Sequence, residues 1–176
     1  MASGLNYLVS PGKRATPVSV TIWVLADIGT DDGQNFLRKA VEFLQESSKH
    51  ARLAFIPTTN RRSVFTKMVT NAIAANDLKE LNRVLSDYSN ENDDAVTDLN
   101  EFDKKIETLL QALNFPRGGK GVIVNGRLIG PLGHEDVFDI GDWALVEKFS
   151  YDSCAKHLGK LILFQSESFE FSVHFS

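Results

Sequence analysis

Side chains that could bind metals or transfer protons are present in this 176-residue chain, but their spacing favours neither chemistry. The four histidines are too scattered to form a ligand pair on one helix. Acidic residues cluster after Asn90 and could suggest calcium, yet no stretch has the glycine and the terminal bidentate glutamate of a calcium loop. We therefore interpret the acidic cluster as a solvated loop and helix start, comprising Glu91, Asp93, Asp94, Asp98, Glu101 and Asp103.

Two other features could carry chemistry. The glycine-rich stretch Gly118–Gly121 looks like a phosphate-binding loop, but it leads into a strand pattern and no Lys-Ser/Thr pair ends it. We interpret it as a flexible lead into the strand. The single cysteine, Cys154, excludes an internal disulfide and a metal site built from several thiolates. It is typical of a packed small apolar residue.

The elements that would position any site are clearest around Asn125-Gly126. This pair is favoured in two-residue hairpin turns, because both turn positions need positive φ. Short apolar runs flank it at Val122–Val124 and Leu128–Ile129. Gly130-Pro131 is predicted to end the second strand, since proline has no amide to donate.

Upstream, the pattern predicts a strand, a helix and a second strand at Val18–Ala26, Gln34–His50 and Arg52–Thr58. A right-handed crossover makes the two strands parallel. Polar residues from Thr30 to Asp32 can cap the helix. Further apolar periodicity predicts helices at Val64–Ala75, Leu78–Leu85, Leu99–Leu113 and within Glu135–Phe164.

This order of elements resembles an α/β thioredoxin-like fold with a helical insertion between the parallel strands and the closing hairpin. More narrowly, Pro116–Leu132 and Phe138–Lys148 are similar to the thioredoxin-like sensor region of the UDP-glucose:glycoprotein glucosyltransferase family. The resemblance covers Val18 to Ile162. We expect a domain over residues 18–164 with its insertion at 60–114. Residues 1–17 are expected to be an extended lead-in or an expression-derived start, and residues 165–176 a tail.

The resemblance implies a function in the endoplasmic reticulum lumen, where this family adds glucose to the N-glycans of incompletely folded glycoproteins. It also implies that catalysis, with UDP-glucose and Ca²⁺, belongs to a separate C-terminal domain. We therefore expect a non-catalytic folding sensor with no catalytic, cofactor-binding or metal-binding residues. Its partners would be misfolded glycoproteins and other domains of the enzyme. Two alternatives stay open: a structural spacer of the same enzyme, and a redox-inactive thioredoxin-like chaperone of another luminal family.

The residues agree with a redox-inactive role. Redox thioredoxins place Cys-X-X-Cys at the start of the first helix, where the helix dipole lowers the pKa of a thiol. The matching loop Ile28–Gly33 has no cysteine, and Gly118–Gly121 stands where redox members carry a cis-proline. A net charge of −4 disfavours nucleic acid. No apolar run approaches the roughly 20 residues of a membrane span.

Apolar residues near the C-terminus are the candidates for binding unfolded protein. We predict a hydrophobic patch that binds clients, with the segment Tyr151–Phe164 as its mobile cover. The competing interpretation assigns the first three residues of the patch to the core. Apolar and polar residues alternate over Phe169–Phe175. Two interpretations of this segment stay open: a strand at the edge of a sheet, and a vector-derived tail. The predicted patch consists of Phe138, Trp143, Phe149, Leu158, Ile162 and Phe164.

Overall fold

The computed structural model describes residues 5–10, 18–59, 62–87, 95–96 and 101–155. A four-stranded sheet of order β2-β1-β5-β6 forms the centre, and β3 and β4 form a separate short ribbon. The strands are β1 (Val20–Ala26), β2 (Ala51–Pro57), β3 (Arg62–Ser63), β4 (Ala95–Val96), β5 (Lys120–Val124) and β6 (Arg127–Leu132). The helices are α1 (Asp31–Glu46), α2 (Val64–Ala74), α3 (Leu78–Asp87), α4 (Glu101–Ala112) and α5 (Ile140–Ser150), and a π-helical turn follows at Tyr151–Ala155.

The topology confirms the predicted thioredoxin-like fold. Strands β1 and β2 are parallel and joined through α1, while β5 pairs with β1 in the antiparallel direction. Helices α2, α3 and α4 lie in the chain between β2 and β5, as the predicted insertion requires. None of the helices described is long and apolar enough to cross a membrane. The predicted domain boundaries stay a prediction, and the tail lies outside the described residues.

The predicted hairpin is present, but its second strand is longer than expected. Asn125 and Gly126 both have positive φ, at 48° and 83°. Strand β6 continues past the Gly130-Pro131 peptide bond to Leu132, so the prediction that this pair ends the strand is wrong. The physical reason is that β6 lies at the edge of the sheet, where proline interrupts no ladder on the outer side.

Helix α1 begins three residues earlier than the apolar periodicity predicts. The Thr30 hydroxyl accepts a hydrogen bond from the Gly33 amide at 3.1 Å, so Thr30 is the N-cap and Asp31 the first helical residue. Asp31 and Asp32 lie in the first turn, where carboxylates interact favourably with the helix dipole. The cap that was predicted from residue type is therefore confirmed.

The two faces of the sheet are covered very differently. One face packs against α1, α2, α3 and α5 and carries most of the buried apolar residues, including Trp143. On the other face, α4 is the only described helix whose side chains join the apolar cluster. That smaller cluster consists of Leu25, Ile56, Ile106, Leu110, Phe115 and Ile123. Within the part of the chain that the structure describes, this face has one helix on it, and apolar surface remains beside that helix.

Candidate functional site: a groove beside helix α4

An apolar groove of about 490 Å³ lies between α4 and the sheet. Its floor comes from β1 and β2, since odd-numbered residues of β1 point to this face while Ile22 and Val24 point to the main core. Its wall comes from α4, of which only Ile106 and Leu110 are buried. We call this the α4 groove, and it is lined by Leu5, Trp23, Ile56, Glu101, Phe102, Lys104, Lys105, Ile106, Thr108 and Leu109.

The rim of the α4 groove is charged. Lys105 Nζ lies 2.9 Å from Glu101 Oε1, one helical turn away on α4. The hydrogen bond from Lys105, with its charge, holds the pKa of Glu101 below its usual value. Both side chains are largely exposed, so the pair adds little to stability. An apolar floor is typical of a site that binds apolar groups. A charged rim around it limits the size of the continuous apolar surface that is exposed when the site is empty.

Trp23 combines two properties at the floor of the groove. Its ring is half-buried and packs against the small cluster. Its indole Nε1 atom is buried, and no hydrogen-bond acceptor reaches it among the described residues. A large aromatic surface that is incompletely covered is a favourable contact for an apolar ligand, because burying it releases hydration water.

A second, polar cluster lies at the start of α1, where redox thioredoxins carry their cysteines. Lys120 is buried, and its Nζ atom donates to Asp32 Oδ1 at 2.8 Å. The same ammonium group reaches the carbonyl oxygens of Asp136 at 3.0 Å and His134 at 3.4 Å. The prediction that Gly118–Gly121 is a flexible lead is therefore wrong for its last two residues, which begin β5. The charge-assisted hydrogen bonds that Lys120 donates hold its side chain between α1 and the loop 133–139.

This polar cluster borders a small cleft of about 120 Å³ between α1 and the loop 133–139. The Lys120 ammonium is already occupied by its three oxygen partners, so it is not available as a nucleophile or as an anion site. Among the described residues, no group of three His, Cys, Asp or Glu side chains could hold a metal ion. The cluster is best understood as a structural tie between β5, α1 and that loop.

The residues of the predicted hydrophobic patch lie in different environments. Trp143 is fully buried and contacts Phe36 at a centroid distance of 5.2 Å, which agrees with the core interpretation. Phe138 is half-buried and packs edge-on against Trp143 at 4.8 Å. Phe149 is 63 % exposed on α5, so the interpretation of this residue as part of the core is wrong. Leu158, Ile162 and Phe164 lie outside the described residues, as does most of the proposed cover.

The α4 groove was not predicted from the sequence. The β-branched and aromatic pattern of Val18–Ala26 indicates a strand covered on both faces, which gives no reason to expose Trp23. The signal that could have revealed the groove lies in α4. This helix carries more apolar residues on one side than the two that are buried. Phe102 and Leu109 are the surplus, and both are only half-buried.

Comparison with known proteins agrees with the fold. A family model described as a thioredoxin-like domain matches residues 1–167. The UDP-glucose:glycoprotein glucosyltransferase of Drosophila melanogaster is 31% identical over an alignment 153 residues long, gaps included, which covers 78% of this chain and 10% of that protein. The human UDP-glucose:glycoprotein glucosyltransferase 2 is 24% identical over an alignment 194 residues long, gaps included, which covers 92% of this chain and 12% of that protein. The chain thus spans about a tenth of the length of these relatives.

Two solved structures share the architecture. The Trx3 domain of UGGT in its detergent-unbound form aligns with a TM-score of 0.56 at 19% sequence identity, covering 80% of this chain and 93% of that domain. The detergent-bound form aligns with a TM-score of 0.55 at 21% identity, covering 73% and 90%. At these identities the likeness supports the fold. The chain belongs to the thioredoxin-like domain family, and it is similar to the thioredoxin-like domain of UDP-glucose:glycoprotein glucosyltransferases.

Proposed function

We propose that this chain is a non-catalytic recognition domain that binds the exposed apolar surface of misfolded glycoproteins. The observation that carries the proposal is the α4 groove. A sheet face that the described residues cover only in part, with Trp23 and Phe102 beside it, offers apolar contact without demanding a particular sequence. A client that fails to bury its own apolar side chains would supply the complementary surface.

The relatives support the cellular setting of this proposal. They are glycoprotein glucosyltransferases, and one solved Trx3 domain of UGGT was crystallised in a detergent-bound form. A detergent joins an apolar chain to a polar head, which is the chemistry that an apolar groove with a charged rim would accept. We propose the endoplasmic reticulum lumen as the location of the domain, within a larger glucosyltransferase.

In this proposal the domain contributes binding, and the transfer of glucose belongs elsewhere in the protein. Asp31 and Asp32 occupy the start of α1, so that position has no thiol for disulfide exchange. UDP-glucose and Ca²⁺ are assigned to the separate catalytic part, in keeping with the small share of the relatives that this chain spans. The proposed role of the domain is to bring the client close to that part.

A charge placed in the groove tests the proposal. Thr108 is exposed and lines the groove, so Thr108→Glu adds a carboxylate there without removing a core side chain. Gln111→Glu makes the same change of charge on α4 at an exposed position that does not line the groove. The probe is an N-glycosylated protein held unfolded by reduction and alkylation of its disulfides. Its native form serves as the comparison.

We expect the unmodified chain to bind the unfolded probe and not to bind its native form. Thr108→Glu should weaken binding by about tenfold or more, because burying an unpaired charge in apolar surroundings is costly. Gln111→Glu should bind like the unmodified chain. Equal binding by both variants, with circular dichroism unchanged, would exclude the groove as the client site. Failure of the unmodified chain to bind would favour the spacer alternative.

A further inference from the structure

A guanidinium group lies on the same face of the sheet as the α4 groove. Arg52 of β2 pairs in register with Thr21 of β1, and the next row on this face is Ala54 paired with Trp23. Trp23 lines the groove. Residues two apart in a strand share a face and lie about 7 Å apart. Arg52 therefore stands at one end of the groove floor.

Two contacts hold the Arg52 side chain in place. Its Nε atom donates to Thr21 Oγ1 at 3.0 Å. Its Cζ atom lies 4.2 Å from the centroid of the Tyr7 ring, which is a favourable cation–π distance. Tyr7 is held in turn, because Leu8 forms two backbone hydrogen bonds with Leu53 of β2, at 2.7 Å and 3.0 Å. A side chain that is already ordered loses little conformational entropy when a ligand binds to it.

The charge of Arg52 is not neutralised within the part of the chain that the structure describes. No carboxylate oxygen of the described residues lies within 4.0 Å of its nitrogen atoms. The hydroxyl that accepts from Nε is neutral, and the two terminal amino groups find no acceptor among the described residues. A half-buried guanidinium with free N–H groups is a favourable partner for a carboxylate, which can accept two hydrogen bonds from it.

The wall of the groove also carries more positive than negative charge. Lys104 and Lys105 both line it, and Glu101 is the acidic side chain among the described lining residues. Glu101 is paired with Lys105 at 2.9 Å, so the charge of Lys104 is left uncompensated within this lining. The chain as a whole has a net charge of −4. The groove thus has the sign of charge that is in the minority on this chain.

We propose that the α4 groove selects client segments in which an acidic residue lies close to the apolar ones. The apolar side chains would contact Trp23 and Phe102, and the carboxylate would accept hydrogen bonds from the terminal N–H groups of Arg52. An extended segment with an acidic residue two positions from an apolar one meets this spacing, since its side chains on one face are also about 7 Å apart. The inference rests on the proposed function and adds to it the charge of the segment that binds.

Three peptides that differ at one position test this proposal. Each is unstructured, has Leu and Phe alternating with Ser, and carries Asp, Asn or Lys two positions from the last apolar residue. Their binding to the 176-residue chain is measured by fluorescence anisotropy at low and at physiological salt. Arg52→Gln removes the guanidinium charge. Arg127→Gln is the matched control, because Arg127 is exposed on β6 and does not line the groove.

We expect the unmodified chain and Arg127→Gln to bind the Asp peptide about fivefold more tightly than the Asn peptide, and the Lys peptide most weakly. This preference should shrink as the salt concentration rises. Arg52→Gln should bind the Asp and Asn peptides equally. Arg52→Glu should bind the Lys peptide more tightly than the Asp peptide. Such a reversal cannot arise from a variant that simply fails to fold.

The contrary results each have a distinct meaning. Equal binding of the Asp and Asn peptides by the unmodified chain would overturn the charge selection and leave client binding standing. An Asp preference that survives Arg52→Gln would overturn the role of Arg52. Weak binding of the Asp peptide that rises when Asp93 and Asp94 are replaced by Asn would identify an acidic segment of the chain itself as the occupant. Binding of none of the peptides would overturn the proposed function together with this inference.

Discussion

Lys120 Nζ lies 2.8 Å from Asp32 Oδ1 and thereby joins the first residue of β5 to the first turn of α1. The lysine side chain is 7 % exposed and the aspartate side chain 31 %. In a redox thioredoxin this region brings a thiol to the surface. Here an ion pair occupies it and holds the loop that follows the hairpin, through the carbonyl oxygens of His134 and Asp136.

Lys120 and Asp32 should stabilise the domain as a pair, so that the effects of replacing them on the free energy of unfolding are not additive. Lys120→Met leaves the Asp32 carboxylate without its cation and removes the donor to two carbonyl groups, so the free energy of unfolding should fall by about 2 kcal/mol. Asp32→Asn should cost about 1 kcal/mol. The double variant should cost clearly less than the sum of the two, because its second change removes a partner that is already unpaired. Urea denaturation measures all three.

His134→Gln provides the control for this cycle. His134 Nδ1 lies 3.4 Å from Asp32 Oδ2, but the histidine side chain is 88 % exposed. An exposed pair of this kind contributes little, so the variant should unfold at nearly the same urea concentration as the unmodified chain. If the costs of the Lys120 and Asp32 changes simply add, the two residues do not act as a pair.

Replacing Gly33 and Gly126 by alanine should lower the stability of the domain by very different amounts. A Cβ atom at Gly33 would lie 1.9 Å from the Asp27 carbonyl oxygen, a backbone atom that cannot move without disturbing the cap of α1. Gly126 has φ of 83° but nothing within 4 Å of its Cβ position. Gly126→Ala should therefore cost only about 1 kcal/mol, from backbone strain alone. Gly33→Ala should cost several times more.

Thermal unfolding followed by circular dichroism separates these two variants. The expected order of melting temperatures is the unmodified chain, then Gly126→Ala, then Gly33→Ala. The solubility of Gly33→Ala should be measured in the same preparation. A poorly soluble, incompletely folded protein would also be the expected result of the close contact at Gly33. A Gly33→Ala protein as stable as Gly126→Ala would mean that the chain before α1 relaxes easily.

The carboxyl pKa of Glu101 should depend on Lys105. The hydrogen bond from Lys105 lowers that pKa, so Lys105→Gln should raise it toward its usual value. Lys104→Gln changes the charge by the same amount at the neighbouring position and should have a smaller effect. Titration of the Glu101 side-chain carbon signals by NMR measures both.

The sign of the pH dependence follows from this shift. A carboxyl pKa that is lowered in the folded chain adds stability above the usual carboxyl pKa, and this contribution is lost as the pH falls through the lowered value. Because the pair is exposed, its contribution to the stability of the whole domain should be too small to detect in unfolding experiments. The effect of pH should instead be seen locally, at the rim of the α4 groove. A pKa for Glu101 that does not respond to Lys105→Gln would contradict the contact.

Much of the fold could be predicted from local sequence. The Asn125-Gly126 turn, the strand at Val20–Ala26 and the insertion helices each carry their signal within a dozen residues. Turn conformation, strand pairing across a tight turn and helical periodicity depend on neighbours in the chain. The limits of the elements were less certain, as α1 and β6 show, because a cap or an edge position can extend an element beyond its apolar pattern.

The chain by itself determined the architecture, the absence of a cysteine at the start of α1, and which residues are apolar. Only the tertiary structure decided which apolar residues are left uncovered. Phe102 lines a groove because a single described helix covers that face of the sheet. Phe149 is exposed because Glu147 binds backbone amides 97 and 98 residues away in sequence. Contacts over such distances depend on the packing of whole elements, and no local pattern records them.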